Sequence, residues 1–197
     1  MNNISFSDAD IRPPLRTMLL SQIGSEPDTV LVEELGLCRG QARIDLTVVN
    51  RVLHGYEIKS DRDSLRRLGT QVDLYGKVLD LATLVVGERH IDDAVGMLPA
   101  WWGVLRVDAG STAPRFKMIR RSQENPDRDV RSLVELIWLD DAVALLEERR
   151  AARGIRGKPR RVVWDRLCEQ FSLEELAQWV RSHLKARVAP QAPLRPS

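Results

Sequence analysis

At 197 residues with 43% hydrophobic and 29% charged side chains, the chain can bury a sizeable core as a globular domain with an appendage, which excludes disordered, collagen-like and disulfide-scaffold classes. Its net charge of +2 hides an asymmetry: from residue 151 onward ten Arg and Lys face four Asp and Glu, so the preceding part is acidic and the end is the basic part. Cys38 and Cys168 lack CxxC spacing, the start lacks a signal-peptide pattern and no apolar run reaches membrane-spanning length; free thiols, no membrane and a cytoplasmic location are expected.

Residues 8–23, DADIRPPLRTMLLSQI, read as a helix. Asp8 caps it, Leu15, Met18, Leu19 and Ile23 recur at helical spacing, Gly24 ends it, and Pro13 and Pro14 are expected in its first turns. Three β-like runs follow at 29–37, 42–50 and 53–60, rich in branched residues and joined by short polar links, which predicts two successive hairpins. The stretch 61–80 places Leu65, Leu68, Val72, Tyr75 and Leu79 on one helical stripe, and LATLVVG after it reads as a buried strand; a strand, a crossover helix and a strand imply a parallel pair. A short helix and a strand are expected within 88–108, and a further strand at RFKMIRR. The predicted class is α/β, a mixed sheet flanked by helices. The polar segment RSQENPDRD sets a boundary between a core at 1–122 and a helical subdomain at 127–188, with 189–197 expected to be disordered. Within the subdomain one helix should run from VRSLVELIWL toward Gly154, Pro159 should open a second, and SLEE at 172–175 forms a capping box for the last.

Charge amid apolar strand residues marks the candidate site. Side chains in a strand alternate faces, so Glu57 and Lys59 share one face and Tyr56 and Ile58 the other, while Asp45 shares its face with Arg43 and Thr47. A turn centred on Arg51 puts opposite one another residues whose numbers add to 102, which pairs Asp45 with Glu57. Opposed carboxylates repel and need compensation. Mg²⁺ supplies it with one or two protein carboxylates, keeping its other positions for water and phosphate oxygens. Asp45 and Glu57 would hold the metal, Lys59 would orient the water or neutralise the transition state, and Glu34, which ends the alternation Val30, Val32, could add a third carboxylate. A Lys59 salt bridge to Glu57 or Asp45 on a solvated sheet face accounts for the same spacing.

The order helix, strand with Glu34, strand with RID, strand with YEIK, helix, strand resembles the PD-(D/E)XK nuclease superfamily. QVDLY in the following helix is similar to the QxxxY motif of RecB-type members, and 30–103, with EIKSDRDSLRRL, VVGERH and PAWWG, resembles a bacterial family assigned to that superfamily. Ile44 stands at the motif's proline. The resemblance implies a restriction-endonuclease-like fold, hydrolysis of DNA with Mg²⁺ or Mn²⁺, metal ligation by Asp45, Glu57 and the Ile58 carbonyl, a catalytic Lys59, and support from Glu34, Gln71 and Tyr75.

Gln71 and Tyr75, four apart, can point from one helix face toward the site or a phosphate, and the Tyr75 ring equally suits the core. Arg62, Arg66 and Arg67 near the helix start suit phosphate, or are surface arginines. His90 can reach a substrate or serve structure; Trp101 and Trp102 can stack on a base, with at least one expected in the core. Arg156, Lys158, Arg160 and Arg161 lie in a basic turn between helices, an outline similar to SAP-like nucleic-acid-binding modules and equally that of a helical hairpin covering the sheet. Two functions follow as expectations. One is a Mg²⁺-dependent deoxyribonuclease; the other is a non-catalytic nuclease-fold binding or interaction module in DNA repair, mobile-element or phage-defence systems. A protein partner or a second copy of the chain is compatible with both.

Overall fold

The computed structural model describes residues 5–24, 26, 28–108 and 113–188; the 189–197 tail lies outside them. Helix α1 (Asp8–Ile23) leads into strands β1 (Val30–Leu37), β2 (Ala42–Val49) and β3 (Leu53–Lys59), then α2 (Leu68–Gly76), β4 (Leu81–Gly87), α3 (Ile91–Gly96), β5 (Gly103–Asp108) and β6 (Arg115–Arg120). Helices α4 (Val130–Val134), α5 (Leu139–Glu148), α6 (Arg160–Gln170) and α7 (Leu173–Val188) complete the chain. The strands form one six-stranded mixed sheet in sequence order. Pairing is antiparallel for β1–β2, β2–β3 and β5–β6, and parallel for β3–β4 and β4–β5, whose connections carry α2 and α3. The register of β2 on β3 is the one set by a turn centred on Arg51, running from Val49↔Leu53 to Leu46↔Tyr56.

The sheet separates two apolar clusters. Ile11, Leu15 and Leu19 of α1 pack with Leu46, Val48, Tyr56, Ile58, Val85 and Leu105 on one face. On the other, Leu53, Leu84 and Val104 share a single cluster with Tyr75 of α2, Trp102, and the inward residues of α4 to α7, such as Leu146, Leu167 and Leu184. The C-terminal helices therefore bury their apolar stripes against the sheet. The segment proposed as a boundary is stitched down as well: Asn125 Nδ2 donates to Gly76 O at 2.6 Å and Leu79 O at 2.8 Å, and Asn125 N donates to Asp80 O at 2.9 Å. Asp80, buried at the foot of β4, accepts from Leu53 N at 2.6 Å and pairs with Arg128, with Arg181 at 3.6 Å.

Three local expectations are corrected, while the prolines of α1 fall within its first turns as expected. Ser7, not Asp8, caps α1, its amide and hydroxyl both donating to Asp10, at 2.8 and 2.6 Å. Pro13 and Pro14 lie in the second turn of α1, where each missing N–H removes an intrahelical bond. The helix expected from 61 begins at Leu68, because Ser60 and Ser64 turn the chain first, their hydroxyls tied to Asp63 and to the Arg66 amide. Finally, VRSLVELIWL is broken at 135–138: α4 ends in a tight turn, with the Leu136 and Ile137 amides donating to Leu133 O at 3.1 Å and Val134 O at 3.0 Å, and α5 begins at Leu139.

Candidate functional site

A strained residue creates the site. Glu34 has φ 54, a left-handed conformation costing a non-glycine residue on the order of 1–3 kcal/mol. The β1–β2 register is the same on either side of it, with Glu33↔Leu46 and Leu35↔Ile44, so no residue is inserted. What changes is the phase of the side chains. Val30 and Val32, then Leu35 and Leu37, face the helical cluster, and in β2 Val49, then Ile44 and Ala42, do the same. The faces therefore switch at Glu34 and Asp45, which corrects the expectation that Arg43 and Thr47 share a face. The β2–β3 ladder stops at Leu46↔Tyr56, one step short of Asp45 and Glu57, and the two strands separate there.

Asp45 fills the opening. Its Oδ2 accepts from the Ile58 amide at 2.7 Å, replacing the lost ladder bond. A strand residue's N–H and C=O point to the same side, so the Ile58 carbonyl faces this gap too. Glu57 is 2% exposed and Lys59 7%. Oε1 of Glu57 accepts from Lys59 Nζ and from Gln71 Nε2, the latter at 2.6 Å. The Tyr75 hydroxyl, with one proton to give, sits 2.8 Å from Glu57 Oε2 and 2.7 Å from Arg43 O, and accepts from Gln71 at 3.2 Å. Tyr75 thus does two things at once, its ring buried beside Trp102 and its oxygen in the site. Oε1 of Gln71 is a buried acceptor without a partner among the described residues; such an atom at the edge of a polar cleft suits an ordered water.

Arg12 of α1 closes the far wall. Nη2 donates to Asp45 Oδ1 at 2.6 Å and Nη1 to Glu34 Oε1 at 2.6 Å, while Nε and Nη2 hold Asp8 at 3.1 and 3.2 Å. Burial works against its charge, but Asp8 and Asp45 more than offset this and its pKa is raised. Burial raises the pKa of Asp45, and the Ile58 amide and Arg12 only partly offset it. Burial likewise raises that of Glu57, with Asp45 adding to the effect. The cleft between these groups holds about 590 Å³, with five carboxylates (Asp8, Glu34, Asp45, Glu57, Asp63) against four cations (Arg12, Arg43, Lys59, Arg67) on its walls. A divalent cation would reverse the sign of that balance.

The site residues read from the sequence separate into two groups. Asp45, Glu57, Ile58, Lys59, Glu34, Gln71 and Arg67 line one cleft, and Tyr75 reaches it through its hydroxyl. Arg62, whose Nη2 donates to Ser5 O at 3.1 Å, and Arg66 do not line it. Neither do Arg156, Lys158, Arg160 and Arg161; Arg156 is paired with Glu147 at 2.6 Å and Arg161 with Asp165 at 4.0 Å, and Lys158 and Arg160 have no ion pair among the described residues. His90 and Trp101 lie outside the cleft, and Trp102 is fully buried core. Arg12 was missed. Its one signal is the Asp8–Arg12 spacing of four on a helix face.

Among the described residues no three His, Cys, Asp or Glu side chains converge as a metal cage. Mg²⁺ asks for less: one or two carboxylates, with water completing its shell. A buried and a part-buried carboxylate, Glu57 and Asp45, both of raised pKa, a carbonyl facing the same gap and the unpartnered Gln71 Oε1 fit that demand, provided Asp45 Oδ1 is released by Arg12. No helix among the described residues is long and apolar enough to cross a membrane.

Comparison with known proteins places a family model described as Bacteriophage P4 protein cII on residues 5–192, across the sheet and the C-terminal helices together. Protein cII of Enterobacteria phage P4 is 27% identical over 100 residues, covering 51% of this chain and 38% of that relative, so the match spans well under half the relative's length. No solved structure matches the chain.

Proposed function

The chain belongs to the bacteriophage P4 cII protein family, and we propose that it is a metal-dependent phosphodiesterase of PD-(D/E)XK type acting on DNA, with its centre at Asp45, Glu57 and Lys59. The observation that carries the reading is the meeting of Asp45 with the Glu57–Lys59 pair in one cleft, at the point where the β2–β3 ladder opens. The α/β order and the QxxxY placement, with Gln71 and Tyr75 both on Glu57, support it.

Asp45, Glu57 and the Ile58 carbonyl would hold Mg²⁺ or Mn²⁺, which when bound acidifies a water and neutralises charge on the phosphoryl group. The chain's own residues set the stage for that chemistry. Lys59 holds its ammonium at the buried end of Glu57, where it can orient the attacking water or meet the charge developing on phosphorus. Gln71 and Tyr75 fix the Glu57 carboxylate by hydrogen bonds to both oxygens, and Gln71 Oε1 offers a water its acceptor. Arg67, on the cleft wall, suits a backbone phosphate.

A second reading has its own observation. The guanidinium on Asp45 Oδ1 already supplies a cation where metal would sit, so the cleft is compensated without metal, which suits a non-catalytic DNA-binding or interaction module. The test is cleavage of supercoiled and linear DNA with Mg²⁺ or Mn²⁺ by the purified chain, beside Asp45→Ala. Metal-dependent cleavage lost in the variant supports the enzyme. Cleavage that survives Asp45→Ala excludes this centre, and metal-independent binding without cleavage selects the module.

A further inference from the structure

The geometry points to Arg12 as a built-in counter-cation that competes with the divalent metal for Asp45, so that this arginine sets the metal affinity of the cleft. The inference rests on reading the cleft as a metal site.

Asp45 presents two oxygens. Oδ2 is committed to the Ile58 amide at 2.7 Å and Oδ1 to Arg12 Nη2 at 2.6 Å. Any ion ligated by Asp45 through the cleft-facing oxygen therefore meets the guanidinium. Arg12 is not held by Asp45 alone: Nη1 reaches Glu34 at 2.6 Å and the Asp45 carbonyl at 3.4 Å, and Asp8 takes Nε and Nη2. All five N–H groups thus have an acceptor, and the planar fork matches three carboxylates drawn from α1, β1 and β2 at once. A singly charged group cannot stay beside a doubly charged ion at that oxygen without strong repulsion in a part-buried setting. Metal entry requires Nη2 to leave Asp45, and Asp8 and Glu34 remain to receive the guanidinium when it does. Arg43 and Arg67 also line the cleft, but no hydrogen bond or ion pair joins either of them to Asp45 or Glu57 through a side chain, so they contribute only a general field.

That difference gives the test. Mn²⁺ is titrated calorimetrically into the full chain without DNA, for the wild type, Arg12→Met, Arg67→Gln and Glu57→Gln. Competition predicts that Arg12→Met binds Mn²⁺ at least tenfold more tightly than the wild type, that Arg67→Gln changes affinity less than threefold, and that Glu57→Gln removes the site. Equal gains in Arg12→Met and Arg67→Gln, or no gain in Arg12→Met, overturn the inference. Should Arg12→Met fail to fold, the wild type decides: NMR of the arginine side-chain N–H groups should show the Arg12 signals shifting and losing protection as Mg²⁺ saturates, and signals unchanged at saturation overturn it. A gain of Mn²⁺ affinity in Arg12→Met with no DNA cleavage by any form would leave the inference standing and sink the catalytic reading. Cleavage and Glu57-dependent binding with no effect of Arg12 would do the reverse.

Discussion

Lys59→Met keeps an unbranched apolar stem and removes the ammonium from Glu57, a carboxylate 2% exposed whose charge Asp45 already opposes. Removing one partner of a buried pair costs about 3–5 kcal/mol, because the remaining charge is stranded. Gln71 and Tyr75 continue to donate to Glu57, which places the expected loss near the lower end, about 3 kcal/mol. Adding Glu57→Gln removes the stranded charge, so the double variant should be more stable than Lys59→Met alone, with a coupling of about 2 kcal/mol in the cycle. The assay is urea unfolding at pH 7 in EDTA, followed by tryptophan fluorescence, for which buried Trp102 and Trp164 are reporters. With a slope of about 1–3 kcal/mol per M the single variant's midpoint should fall by about 1–3 M. Neither variant should cleave DNA, so recovery of stability without activity separates the two roles of the pair. A loss under about 1 kcal/mol, or zero coupling, would refute the reasoning: Glu57 would then be protonated in the native protein, and Lys59 would not be its compensating charge.

Gly103→Ala should destabilise by about 1–3 kcal/mol in the same assay, since a Cβ there would lie 2.8 Å from the Ser122 amide nitrogen and from Thr83 Oγ1; unchanged stability would show that β5 can move away from 122. His54, whose Nε2 bonds Thr83 at 2.8 Å and whose Nδ1 faces the Tyr56 hydroxyl, is held by burial near a pKa of about 4 instead of 6.5. The unfolded chain then takes the proton first, so stability is full above about pH 6.5 and falls as the pH drops toward 4, by about 2 kcal/mol between pH 7 and 5; His54→Gln should flatten that decline in pH-dependent unfolding, and an identical profile would count against it. In the C-terminal turn, replacing Lys158 and Arg160, which have no ion pair among the described residues, by Gln should flatten the salt dependence of DNA binding by about two phosphate contacts. The same change at Arg156 and Arg161, already paired with Glu147 and Asp165, should do less, and equal slopes for all three proteins would remove this turn from the DNA interface.

The strands and the register of β2 on β3 were legible because period-2 runs of branched residues and short links leave few alternatives. That regularity brought Asp45 and Glu57 to the same end of the hairpin, although the pairing itself stops one step earlier at Leu46↔Tyr56, and the QxxxY spacing put two more side chains on the Glu57 carboxylate. The end of the Val30, Val32 alternation marked Glu34 as unusual, yet period 2 alone could not say that both strands would switch faces there. Arg12 was illegible for a different reason. No local rule states which part of a sheet a preceding helix will cover, so a partner 33 positions away in sequence is visible only once α1 is docked. The same holds for Asp80, the last residue of the stretch 61–80 and no member of its apolar stripe, which gathers Leu53, Arg128 and Arg181.

Asp80 decides how the protein can be cut. A fragment ending before Arg128 would expose the apolar cluster beneath the sheet and leave a buried carboxylate without either arginine, while a fragment beginning there would carry Arg128 and Arg181 without their acid. Neither half is a usable reagent, so deletion mapping, tag-linked truncations and chimeras joined at 122–127 would report unfolding in place of lost function. A transplant into another protein should therefore keep α1 through α7 together.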